Sequence, residues 1–109
     1  MNPATLALEN QYFSLRKSLP ELEAQGATQD QLDALRTAIA QSRTNYWTAI
    51  GRQFHEDDPE VAALISQMNA SQLALDQTVK HLGDVAKILN GITQAVDIGS
   101  KLAAKVIAL

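Results

Sequence analysis

Residues 61–106 read VAALISQMNASQLALDQTVKHLGDVAKILNGITQAVDIGSKLAAKV, and the apolar repeat in this stretch decides the fold class. Val61, Met68, Leu75, Leu82, Leu89, Val96 and Ala103 fall seven apart. A second row, Leu64, Ser71, Thr78, Val85, Ile92, Gly99 and Val106, lies three or four residues from the first. Both rows occupy one side of an α-helix, because the helix turns once in 3.6 residues. Such a face packs against other helices, as in a coiled coil. The expected fold is all-α, with residues 1–109 forming one helical domain.

Composition agrees. Hydrophobic residues make up 46% of the 109-residue chain, and Ala, Leu, Ile and Val dominate them. Five glycines and three prolines are too few for an all-β chain rich in tight turns. The net charge is −3. Its acidic excess sits in 55–83, where Glu56, Asp57, Asp58, Glu60 and Asp76 are opposed only by Lys80. No basic block is present, so nucleic-acid binding is not expected. The absence of cysteine excludes disulfides, cysteine-ligated zinc and thiol catalysis.

Working outward, helix boundaries are marked by capping residues. Asn2-Pro3 opens the first helix, whose apolar stripe is Leu8, Tyr12, Leu15, Leu19 and Leu22. Pro20 interrupts that stripe, and Ser18-Leu19-Pro20-Glu21 reads as a capping box, so a kink or restart is expected there. Gly26 suits the left-handed cap that ends the helix. Thr28-Gln29-Asp30-Gln31 is a second capping box. The second helix then carries Leu32, Leu35, Ile39, Tyr46, Ile50 and Phe54 as its apolar face. Asp57 or Asp58 caps the third helix, with Pro59 in its first turn.

Beyond Pro59 two architectures compete. If the chain breaks near Gly83 or Asn90-Gly91, it forms an antiparallel bundle of four helices near 3–25, 29–54, 59–82 and 84–108. If it does not, 59–108 is one helix of roughly 75 Å that self-associates beyond a short helical hairpin. Matched lengths and the rarity of such long helices favour the bundle.

The chain carries few candidates for chemistry. His55, Glu56, Asp57, Asp58 and Glu60 form its one dense set of titratable groups, best read as a solvated loop with capping acids. Neither His55 nor His81 has a Glu three residues before it, so the Glu-x-x-His pairs of di-iron bundles are absent. His-Glu-x-x-His is absent as well. No catalytic residue, metal ligand or cofactor site is expected. Arg36, Arg43 and Trp47 share one side of the second helix, and an exposed Trp47 there would favour a protein interface.

The expected function is that of a non-enzymatic helical interaction module. Its apolar face over 61–109 would self-associate or dock a partner helix, with Leu82, Val85, Leu89, Ile92, Val96, Leu102, Val106 and Trp47 as contact residues. The alternative is a membrane-active protein, pore-forming or secretion-related, using 85–109. In that segment Ile88, Ile98, Ile107 and Leu109 widen the apolar arc, and Lys87, Lys101 and Lys105 suit an interfacial helix. The expected partner is a second copy or another helical protein, with a membrane surface ranked below these and no small-molecule ligand. No leader is legible near the N-terminus, where Glu9, Asn10 and Gln11 interrupt the apolar run. No stretch is apolar enough to span a bilayer. A cytoplasmic location is therefore expected, with export lacking a cleaved signal left open.

Overall fold

The chain folds back on itself. A computed structural model describes residues 2–55, 57–80 (backbone only for 78–80) and 84–107. Helices α1 (Pro3–Ala24), α2 (Gln29–Ala49), α3 (Pro59–Lys80) and α4 (Val85–Ala103) pack into an all-α four-helix bundle of 43 × 21 × 19 Å. The single long helix does not form, because α3 and α4 are separate elements. Asp84 caps the second of them by accepting from the Ala86 N–H at 2.8 Å. Gly83, one of the two expected break points, lies outside the described residues, and the other, Asn90-Gly91, is helical.

Most caps form where the residue types predict. The Asn2 side chain accepts from Thr5 N–H at 2.8 Å, and Pro3 fills the first turn of α1. Gly26 takes φ 86°, while Ala27 N–H reaches back to the Leu22 carbonyl at 3.1 Å. Both bonds of the Thr28–Gln31 capping box are made. Asp58 accepts from Glu60 N–H at 2.8 Å at the start of α3.

Three expectations need correction. Of the kink or restart expected at Pro20, the restart does not occur: helix α1 runs through Pro20, and the Ser18 hydroxyl donates to the Leu15 carbonyl. Helix α2 stops at Ala49, not Phe54. Ile50 and Gly51, the latter at φ 71°, form a turn closed by Arg52 N–H to the Ala49 carbonyl at 3.0 Å, and Phe54 beyond it is buried in the core. Helix α4 stops at Ala103, so the two early endings let Phe54 pair with Val106 in an isolated antiparallel bridge. Ile107 N–H extends it to the Gln53 carbonyl at 2.8 Å.

Around the bundle the order is α1, α2, α4, α3. The connection from α2 to α3 crosses a diagonal, and these two helices do not approach each other, whereas α1 and α4 do. Each hairpin is antiparallel, as Tyr46–Glu9 and Lys105–Glu60 contacts require. Across hairpins, α1 with α3 and α2 with α4 run in the same direction.

The core divides into two apolar clusters. One holds Leu8, Ala49, Phe54, Val61, Leu64, Met68 and Leu102, and the other Leu15, Leu22, Leu35, Leu75, Ile88 and Ile92. A buried polar layer lies between them. Gln11, on the stripe between Leu8 and Leu15, donates its amide to the Ala95 carbonyl of α4 at 2.8 Å. Asn45 of α2 donates to Ser100 Oγ at 3.1 Å and accepts from Gln41 at 3.0 Å. The face that α2 buries is Leu35, Ser42, Asn45 and Ala49, a smaller and more polar set than the predicted stripe.

Gly99 makes room for this layer. A Cβ at that position would meet Gln11 Oε1 at 2.5 Å, whereas one at Gly91 would meet only Leu75 Cδ2 at 3.3 Å. Gly99→Ala is therefore expected to cost about 1–2 kcal/mol, the displaced Gln11 bond outweighing the gain in helix propensity. In a Gln11→Ala background the same substitution should instead gain up to about 1 kcal/mol, because only propensity remains. Urea denaturation of the four proteins checks the sign change, and an equal effect in both backgrounds would contradict it.

Candidate functional site

The residues expected to form an assembly face are largely inside the bundle. Ile92, Val96 and Leu102 are buried in the two core clusters. Val85 and Leu89 are half-buried against one cluster and Val106 against the other. Leu82, like His81 and Leu109, lies outside the described residues. Helix α4 has neighbours on three sides, α2, α3 and, across the diagonal, α1. Its wide apolar arc is thus packed largely against its own chain.

Trp47 differs from the rest. It is 63% exposed on the outer side of α2. The Arg43 guanidinium sits 5.4 Å from its ring centroid, one turn earlier on the same helix. Ile50, three residues on, is also exposed. Helix α1 contributes exposed Leu6 and Phe13, seven residues apart and off the buried Leu8–Leu15–Leu22 stripe. Tyr12 and Tyr46 stack between the two helices at 6.2 Å, and Phe13 reaches Tyr46 at 6.3 Å. Arg16 lies over both Tyr12 and Phe13, at 5.5 and 5.9 Å. All of the chain's aromatic residues except Phe54 therefore gather on the α1–α2 side.

The polar groups of this patch are arranged around the rings. Tyr46 donates its hydroxyl to the Glu9 carboxylate at 2.7 Å, and this bond raises the phenol pKa above the ordinary tyrosine value. Arg16 and Arg43 have no ion-pair partner among the described residues. Arg36, eleven residues before Trp47 on the same helix, pairs with Asp33 at 3.2 Å. Leu6, Phe13 and Arg16 were not singled out by sequence reading. The available signal was the seven-residue spacing of Leu6 and Phe13 on a face that the leucine stripe does not use.

Other candidate regions are internally paired. Asp58 is a cap, and Glu60 accepts from Lys105 at 2.7 Å, which raises the Lys105 pKa. His55 is exposed, and Glu56 is outside the described residues. Among the described residues no group of three or more His, Cys, Asp or Glu could hold a metal ion. A groove of about 570 Å³ opens between α1 and α3. In it Ser14 donates to Asp76 at 2.9 Å, and Gln72 donates to both. Among the described residues no helix is long and apolar enough to cross a membrane.

No protein-family model matches the chain, and neither the curated proteins nor the solved structures contain a significant match to it.

The contrast between surface and core is measurable. Trp47→Ala is expected to change unfolding free energy by no more than about 0.5 kcal/mol, as for a surface site. Leu102→Ala should cost about 2–5 kcal/mol, as for a buried leucine. Chemical denaturation checks both, and a comparable loss for Trp47→Ala would place that ring in the core.

Proposed function

We propose that this protein is a non-enzymatic helical interaction module that docks a protein partner on the outer face of α1 and α2. The observation that carries this reading is the exposed Trp47 with Arg43 over its ring, on a helix pair that also exposes Phe13, Leu6 and, at the α2 cap, Ile50. Tryptophan and arginine are the residue types most enriched where binding energy concentrates. An aromatic side chain offers roughly 150–250 Å² of surface, and covering such area is favourable by about 25 cal/mol per Å². Leaving several such groups together in water is costly unless something covers them.

Self-association through 61–109 and membrane insertion of 85–109 rank below this reading. Both draw on α4, whose Ile88, Ile92 and Leu102 are fully buried, and 61–109 leaves Leu73 of α3 as its one large exposed hydrophobic among the described residues.

The test is photo-crosslinking in the cells the protein comes from. A benzophenone amino acid replaces Trp47 in one variant and exposed Ala63 of α3 in another. Discrete protein adducts are expected from position 47 and none from position 63. Adducts of equal yield from both positions, or none from position 47, would contradict the proposal.

A further inference from the structure

We propose that the segment docked on α1 and α2 is an acidic amphipathic helix, with apolar residues on Leu6, Phe13, Trp47 and Ile50 and carboxylates on Arg16 and Arg43. This inference rests on the reading given above and names the chemistry of the partner.

The spacing of the patch fits a helix. Leu6 and Phe13 are seven apart on α1, two helical turns or about 10.5 Å of rise. Arg43 and Trp47 are one turn apart on α2, and Ile50 follows at its C-cap. A third helix laid along the two would meet these side chains at its own heptad repeat. The stacked Tyr12 and Tyr46 rings form the floor between the two ridges.

The charges fit an acidic segment. A guanidinium over an aromatic ring keeps its N–H groups available at the rim, in the fork geometry that receives a carboxylate. Arg16 and Arg43 are both placed over rings, and neither is ion-paired among the described residues. The patch's one acid, Glu9, is already the acceptor for Tyr46. Two copies meeting through this face would bring four guanidinium groups to two occupied carboxylates, so a second copy is a poor occupant. Two arginines on a chain of net charge −3 offer little to a phosphate backbone.

Trp47 is the chain's single tryptophan, so its fluorescence reports from inside the patch. The probes are a tryptophan-free helical peptide of three heptads with leucine at the a and d positions and glutamate beside them, its lysine counterpart, and vesicles containing phosphatidylserine. Saturable one-to-one binding of the glutamate peptide, with a blue shift of Trp47, is expected. Affinity should fall at least about tenfold for the lysine peptide and for Arg16→Gln with Arg43→Gln, the size expected when charge-assisted contacts worth 1.4 kcal/mol are lost. Circular dichroism should show these variants folded. Equal binding of both peptides, response to vesicles alone, a blue shift on concentrating the chain alone, or no response to any probe would overturn the inference. If position-47 crosslinks persist in cells after such a result, the docking face stands and the acidic assignment falls. If they are absent, the docking face falls with it.

Discussion

The side-chain amide of Gln11, bonded to the Ala95 carbonyl in the middle of the bundle, is the contact on which the rest of the arrangement depends. It joins α1 to α4 across the diagonal, where Gly99 leaves space that any larger residue would fill. Drawing one diagonal pair together leaves α2 and α3 apart and splits the apolar core into two clusters. Asn45 and Ser100 continue the polar layer toward α2. Gln11 Oε1 is buried with no hydrogen-bond partner among the described residues. A slipped register would set Gln11 against leucines with neither bond nor space, so the layer selects one alignment of the four helices.

That alignment determines which surface is left over. Enclosing α4 on three sides uses the apolar face that the heptad rows advertise. Helices α1 and α2 then keep a second, outward set of large side chains that the bundle does not need: Leu6, Phe13, Trp47 and Ile50. The arginines over the rings hold this surface in place without neutralising it. The internal packing and the external patch therefore depend on the same geometric choice.

Local signals were legible in the sequence where one or two side chains set the outcome. The caps at Asn2, Thr28 and Asp58 form as their residue types require, and the α3 seam of Val61, Leu64, Met68 and Leu75 is buried as spaced. In α4 the row residues Ile92, Val96, Gly99 and Ala103 are buried as spaced, and the buried arc widens on one side to Ile88, Ala95 and Leu102. The rows kept phase across 81–84 on paper, but a chain reversal resets the orientation of the following helix, so phase carried no information there. The inward polar face of α2 was hidden because Ser42 and Asn45 resemble surface residues until a partner such as Ser100 is brought to them. Trp47 could be flagged from its neighbours Arg36 and Arg43, but its exposure depended on where α1 lies. The grouping of Leu6 and Phe13 with it required two helices to be docked.

As folded, the chain packs the α4 face against its own helices and leaves Leu6, Phe13, Trp47 and Ile50 exposed. Light scattering on a sizing column, across a dilution series of the purified chain, tests it most directly. A mass near 11.8 kDa is expected at every concentration. A dimer or larger species that persists at the dilute end would contradict this, because either the apolar face over 61–109 or the exposed α1–α2 side would then be joining copies.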